Sequence, residues 1–226
     1  MAEQAGGAGP AVASDLEGTL TAGIIWRAMR NYLTTHGYAR RYRAFFWPRL
    51  PQLLRYRLRL VDERAFKEQW LTELLRLYRG FSRAAFQDMA EWVVANELWP
   101  QRRQAVVTEL RRYQQSGCRV IIISGLFEPI LDVFVRQLGQ MEAMGTSIVF
   151  DGDTFTGEIR DGLNVGERKV ARLRAFAADD GLIEAAYGDT KRDIPMLSMS
   201  RHPVAVYPDE TLRETALARG WRVLES

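Results

Sequence analysis

The sequence predicts an α/β protein: a mostly parallel sheet flanked by helices, with an all-helical segment inserted near the first strand. Three observations carry the prediction. Gln104 to Gln115 has helical periodicity, closes on Ser116-Gly117 and is followed at once by the apolar run Arg119 to Ile123. That succession of helix, turn and buried strand builds open sheets. Helices and strands continue to alternate to the C-terminal end. Between Ala22 and about Trp99, by contrast, apolar residues recur three and four apart, as in Phe66, Trp70, Leu74 and Leu75 and in Phe86, Met89, Trp92 and Val93.

Taken in order, Met1 to Ala13 is rich in alanine and glycine and reads as a loose tail running into a short strand over Val12 to Leu16. It lacks the basic start and long apolar core of a secretory signal. Small residues make that strand poor by propensity, so its assignment rests on the residues after it. Beyond Pro100 come the helix and strand already named, a helix from Pro129 to Leu138, and a hairpin over Ile148 to Ile159 turning at Asp151-Gly152-Asp153. A helix from Gly166 to Asp179, strands at Ala185 to Tyr187 and Val204 to Val206, a helix from Thr211 to Arg219 and a strand from Trp221 to Leu224 complete the chain. The expected organisation is a flexible tail over 1–10, an α/β core from 11–21 and 100–226, and a helical cap over 22–99.

At 226 residues the chain can bury a sizeable core, and its net charge of +3 is only mildly basic. The single cysteine, Cys118, excludes an internal disulfide or a thiolate zinc site, as fits a reducing compartment. Apolar runs such as Val120 to Ile123 fall far short of a bilayer span. A soluble, cytoplasmic protein without a transmembrane segment is expected.

Four short stretches occur in one order: Asp15-Leu16-Glu17-Gly18-Thr19-Leu20, then Ile121-Ile122-Ile123-Ser124-Gly125, then Lys169 on a helix, then Gly188-Asp189-Thr190-Lys191-Arg192-Asp193-Ile194-Pro195-Met196-Leu197. Asp15 comes at the end of the first predicted strand, Ser124 directly after the next, and Asp189 just beyond the strand at Ala185 to Tyr187. Ligands of open α/β sheets sit beyond the carboxyl ends of the strands, so the three converge on one rim. Together the stretches supply the parts of a phosphoryl-transfer site: a nucleophilic carboxylate with a neighbouring acid, a hydroxyl and amides for phosphate oxygens, a cation for the accumulated charge, and further carboxylates for a metal. Singly, each has an ordinary reading as a turn, a loop start or a solvated lysine, and Asp189 and Asp193 as a helix N-cap and first-turn acid. Their order at strand ends favours the joint reading.

These stretches, with Thr156-Gly157-Glu158, Gly166-Glu167-Arg168-Lys169 and Val204-Ala205-Val206-Tyr207-Pro208-Asp209, resemble the haloacid dehalogenase (HAD) superfamily of aspartate-nucleophile phosphotransferases. Within it the chain is similar to the phosphoserine-phosphatase-like branch (subfamily IB), which carries a helical C1-type cap after the first motif. The resemblance covers nearly the whole chain after the tail. It implies a Rossmann-like core and a Mg²⁺-dependent phosphomonoester phosphatase acting on a small phosphorylated metabolite through an aspartyl-phosphate. On that resemblance Asp15 is the nucleophile, and Glu17 protonates the leaving alcohol and later deprotonates the attacking water. Thr19, Ser124, Gly125 and the amides of Leu16 and Glu17 hold phosphate oxygens, and Lys169 offsets their charge. Mg²⁺ is held by Asp15, the carbonyl of Glu17 and Asp189, with Asp193 in support.

The chain departs from the family pattern twice. Family members usually carry Asp two residues after the nucleophile, where this chain has Glu17, one methylene longer. A misplacement of about 1 Å can cost on the order of a hundredfold in rate, yet relatives in the same branch carry D-L-E-G, so a working acid is expected. Phosphoserine phosphatases also place a Glu shortly after the first motif to hold the substrate's ammonium. Here Ala22-Gly23-Ile24-Ile25-Trp26 occupies that place, and no Asp or Glu occurs between Glu17 and Asp62. Phosphoserine is therefore the second-choice substrate, and phosphotransfer to an acceptor other than water a rival reaction.

The same stretch holds Arg27, Arg30, Arg40, Arg41, Arg43, Arg49, Arg55, Arg57 and Arg59 among Trp26, Tyr32, Tyr38, Tyr42, Phe45, Phe46, Trp47 and Tyr56. One reading has it attract an anionic substrate or rest on an acidic membrane, and a catalytically weakened protein would then be a docking module for an anionic membrane or protein surface. The favoured expectation is a solvated basic face with the aromatics in the cap core and arginine stems over apolar surface. No nucleic-acid fold accompanies the basic helices, so no nucleic-acid partner is expected. His36 and His202 lack metal-ligand spacing, and His202 before Pro203 reads as structural.

Overall fold

Strand β1 (Ala11–Ser14) is only four residues of small or β-branched side chains, yet it lies at the centre of the sheet and is buried throughout. A central parallel strand is covered on both faces, so fit between its neighbours outweighs propensity. The computed structural model describes residues 9–58, 60–177 and 183–225. Most of the expected tail, Arg59 and the expected helix end at Asp179 lie outside the described residues.

After β1 come helices α1 (Ile25–Thr35), α2 (Ala39–Phe46), α3 (Leu50–Arg57), α4 (Glu63–Leu75), α5 (Arg83–Val93) and α6 (Gln104–Gln115). They are followed by β2 (Arg119–Phe127), α7 (Glu128–Leu138), β3 (Glu142–Thr146), β4 (Ile148–Asp151), β5 (Thr154–Ile159) and α8 (Glu167–Phe176). The last elements are β6 (Ile183–Gly188), α9 (Ile194–Leu197), β7 (Ser200–Val206), α10 (Glu210–Arg219) and β8 (Arg222–Leu224). Six strands form one sheet in the order β3-β2-β1-β6-β7-β8, and every pairing in it is parallel. β4 and β5 form a separate antiparallel hairpin.

Side chains of β1 and β2 alternate between the two faces, as the period of a strand requires. Val12 and Ile122 join an apolar cluster with Met29, Leu33, Leu74 and Phe86 of the inserted helices, whereas Ala13 and Ile121 join Leu173 of α8 and Leu212 of α10. The inserted segment leaves and returns at one point. The Ala22 N–H donates to the Gln101 carbonyl (3.0 Å) and the Arg103 N–H to that of Leu20 (2.8 Å). Among the helices the aromatic side chains pack on one another: Phe45 meets Trp70 edge-on, and Tyr56 stacks on Phe66 with centroids 4.3 Å apart. His36 stacks on Tyr32. Among the described residues, no helix is long and apolar enough to cross a membrane.

Three differences from expectation bear on the site. β1 ends at Ser14 and not at Leu16, so Asp15 lies just past it. β3 is an added strand whose Glu-Ala-Met-Gly-Thr sequence has little strand propensity, and it forms by pairing with the apolar run of β2, Ile121 opposite Glu142 and Ile123 opposite Met144. β2 itself continues to Phe127, but its register against β3 breaks between Ile123 and Phe127. Ser124 and Gly125 therefore lie in the irregular part of a strand rather than in the loop beyond it.

Candidate active site

Because Ser14 pairs with both Ile122 and Tyr187, the chain leaves β1, β2 and β6 side by side at one rim. The Asp15 N–H donates to the Tyr187 carbonyl (3.0 Å), which carries the ladder one residue past β1. Lys169, on the first turn of α8, places Nζ 2.7 Å from Asp15 Oδ1 and 2.8 Å from Asp193 Oδ1. All three side chains are almost fully withdrawn from solvent. Burial pulls the pKa of Lys169 down, but attraction to Asp15 and Asp193 outweighs it and holds the ammonium above the usual lysine range.

Asp189, directly after β6, accepts a hydrogen bond from Thr19 Oγ1 at its Oδ1 (3.1 Å). Gly18 makes room for it: φ is +87°, and a Cβ there would fall 1.9 Å from Asp189 Oδ2. Gly188 stands in the same relation to Asp193, whose Cβ would lie 2.4 Å from a Cβ at 188. The other Asp193 oxygen accepts from the Thr190 N–H (3.2 Å) and hydroxyl (3.1 Å), so Thr190 and Asp193 form a capping box at the turn leading into α9. The ordinary reading thus holds for Asp193 as a first-turn acid, while the cap is Thr190 and not Asp189.

One oxygen from each of Asp15, Asp189 and Asp193 lies within 4.8 Å of the others. Burial raises Asp15 to about 6, with Lys169 opposing and Asp193 adding to the rise. Burial, and then repulsion from Asp15 and Asp193, raises Asp189 to about 8. One ammonium does not balance three carboxylates. The donor set is entirely oxygen, which suits a hard divalent cation of the Mg²⁺ type, and such a charge would neutralise the surplus.

Glu17 stands in a recess that solvent reaches although protein surrounds it. That enclosure raises its carboxyl to about 7, opposed by the Ile25 N–H, which donates to Oε1 (3.3 Å) at the start of α1. Lys67 of α4 is near enough to lower it as well. Arg192 pairs with Glu68 (3.6 Å), which ties α4 to the loop carrying Asp189 and Asp193.

Ser124 Oγ accepts the Leu126 N–H (3.2 Å), and the Gly125 carbonyl accepts the Thr146 hydroxyl (2.8 Å). Two bracing residues, Thr146 and Asn164, escaped sequence reasoning. Buried Asn164 donates through Nδ2 to the carbonyls of Ser124 (3.1 Å) and Met144 (2.8 Å), and its N–H donates to Thr146 Oγ1 (2.9 Å). Their signal in the sequence is slight: one amide between Leu163 and Val165, shortly before Gly166. The structure therefore gathers Asp15, Thr19, Lys169, Asp189 and Asp193 into one cluster, sets Ser124 and Gly125 on the adjoining strand end, and leaves Glu17 in the recess beside it.

The parallel sheet thus carries a buried lysine among aspartates beyond the carboxyl ends of its central strands. Residues 12–198 match the haloacid dehalogenase-like hydrolase family, and the chain belongs to that family. It is 30% identical over 159 residues to a histidinol-phosphatase of Neisseria meningitidis, covering 67% of this chain and 66% of that one. It is 29% identical over 140 residues to phosphoserine phosphatase SerB1 of Mycobacterium tuberculosis, covering 61% and 44%. The crystal structure of a Bordetella pertussis protein of unknown function shares the fold, with a TM-score of 0.78 at 22% identity over 96% of this chain and 99% of that one. Against other mycobacterial relatives the match spans only 38–45% of their length.

Proposed function

We propose that the chain is a Mg²⁺-dependent phosphomonoester phosphatase that works through an aspartyl-phosphate on Asp15, its small phosphorylated substrate chosen by residues 22–99 acting as a cap. The observation that carries this reading is the Asp15 carboxylate held 2.7 Å from a buried lysine, with Asp189 and Asp193 alongside. Lys169 orients Asp15 and favours its ionised form against burial. Attack by Asp15 forms a bond from its oxygen to phosphorus as the ester P–O bond breaks, and Glu17 gives the leaving oxygen its proton. Glu17 then takes a proton from the water that attacks phosphorus, and the bond to Asp15 breaks to release phosphate. Thr19, Ser124, Gly125 and Lys169 bind the phosphoryl oxygens. Asp15, the Glu17 carbonyl and Asp189 would hold Mg²⁺, with Asp193 in support. The bound ion supplies positive charge against the phosphoryl oxygens. Phosphoserine is disfavoured, because the segment from Gly18 to Val61 offers no carboxylate for its ammonium.

The test is phosphate release from a panel of phosphomonoesters, including phosphoserine and an activated aryl phosphate, with and without Mg²⁺. Metal-dependent release that is lost in Asp15→Asn, with the melting temperature retained, is the expected result. No release of any ester by the parent, or parental turnover in Asp15→Asn, would overturn it.

A further inference from the structure

The basic, aromatic stretch divides in two. Its inward side is a packed core, as expected: Tyr56 stacks on Phe66, and Arg49 lies 2.6 Å from Glu73. Its outward side is not solvated in the ordinary way. Trp47, Leu54, Leu58 and Leu60 are 63%, 58%, 59% and 65% exposed, four large apolar side chains within fourteen residues. Positions 47, 54 and 58 recur at helical spacing along the short 3₁₀ turn Trp47–Arg49 and α3, so they form one stripe, and exposed Arg55 and Arg57 flank it.

We infer that this outward face of the turn and α3 is a docking surface for an anionic lipid bilayer. Apolar side chains flanked by arginine are the composition of a helix that lies in the interface, its leucines and tryptophan among acyl chains and its guanidinium groups at headgroup phosphates. Charge selects this occupant. No Asp or Glu occurs from Gly18 to Val61, and beyond it Asp62 accepts the Ala65 N–H at the start of α4, Glu68 pairs with Arg192, and Glu73 holds Arg49. A second copy of the chain would set Arg55 and Arg57 against their own like. The inference goes beyond the phosphatase reading and does not depend on it.

Co-sedimentation of the full chain with vesicles of phosphatidylcholine alone, and of phosphatidylcholine mixed with phosphatidylglycerol, tests this without any turnover. Binding confined to the anionic vesicles and weakened by salt is expected. Leu54→Ser with Leu58→Ser, and separately Arg55→Gln with Arg57→Gln, should each lower partition by about tenfold or more, with the melting temperature unchanged. Absence of binding to anionic vesicles by the parent, or binding indifferent to both double variants, would overturn the assignment. So would a concentration-dependent dimer abolished by the leucine variant in place of vesicle binding, or capture of an acidic protein without affinity for vesicles.

Discussion

Lys169 Nζ lies 2.7 Å from Asp15 Oδ1 although 154 residues separate them in sequence. The same ammonium serves Asp193, so one side chain holds two buried carboxylates. Lys169→Met keeps the apolar stem and deletes the charge. Removing one partner of a buried ion pair costs about 3–5 kcal/mol, and removing a donor to a developing anion costs about a hundredfold or more in turnover. A lower melting temperature in the metal-free protein and that loss of rate are expected. Parental values for both would show that the lysine is a bystander.

Gly18 and Gly37 share a φ of +87°, but only Gly18 faces a neighbour, Asp189; nothing lies within 4 Å of a Cβ at Gly37. Gly37→Ala should therefore show the backbone cost alone, about 1–2 kcal/mol. Gly18→Ala adds a collision with a carboxylate, so it should be less stable than Gly37→Ala and bind Mg²⁺ more weakly in a calorimetric titration. Equal effects of the two on metal binding would mean that Asp189 does not need the space.

Glu17→Gln removes a proton donor and acceptor while keeping the amide side chain long enough to meet the Ile25 N–H. For alkyl phosphates, turnover should fall by about 10²–10⁴. An aryl phosphate with an acidic phenol needs little help to leave, so its first step should survive and its second should not. Rapid mixing should then show a stoichiometric burst of phenol followed by slow turnover. A variant that slows the burst as much for the acidic phenol as for the alkyl ester would remove Glu17 from the leaving-group step.

Stability of the metal-free protein should depend on pH in a defined direction. Asp15 titrates at about 6 and Asp189 at about 8 when folded, against about 3.9 in the unfolded chain. Between those limits the folded state binds more protons, so stability is fullest below about pH 4 as far as these groups are concerned and is lost as pH rises through the folded values. Glu17 is raised in the same sense, but solvent reaches it, so its share of the pH dependence is smaller. Metal-free melting temperatures should fall from about pH 5 to about pH 8.5, and Mg²⁺ should restore more at the upper end. A metal-free melting temperature that climbs over this range would contradict the burial of the cluster.

Asn164→Asp exchanges two donated hydrogen bonds for two repulsive contacts at the carbonyls of Ser124 and Met144. Buried polar groups left without partners cost about 1–3 kcal/mol each. A melting temperature several degrees lower is expected, together with a weaker affinity for inorganic phosphate if Ser124 binds it. An unchanged protein would show that the strand end holds itself.

Much of this was legible in the chain because it is written in local chemistry. The helix over Gln104–Gln115 has the bounds that its periodicity and its Ser-Gly stop require. Asp15, Ser124 and Asp189 follow from topology, because residues at the ends of neighbouring parallel strands share a rim, whereas Lys169, on α8, follows only from the order of the motifs. Contacts were less legible than order. Nothing local announces that Thr19 reaches Asp189, that Gly18 is a spacer for the same carboxylate, or that Asn164 spans two strand ends, since each depends on a distance closed by the whole fold. β3 went unseen because its pairing comes from its neighbour and not from its own residues. The apolar stripe along α3 was hidden for a related reason: composition distinguishes leucine from arginine but not an inward leucine from an outward one.

The paired hydrogen bonds at Leu20–Arg103 and Ala22–Gln101 make the point of departure and the point of return a single neck. A segment fastened that way transmits little of its own length to β1 and β2, whose register is fixed below the neck. Evolution can therefore trade the material above it, longer or shorter, greasier or more charged, while the aspartates beneath keep their spacing. In this chain the first half of that material, residues 23–61, has come to carry arginine and no acid, and the three carboxylates under the neck stay gathered all the same.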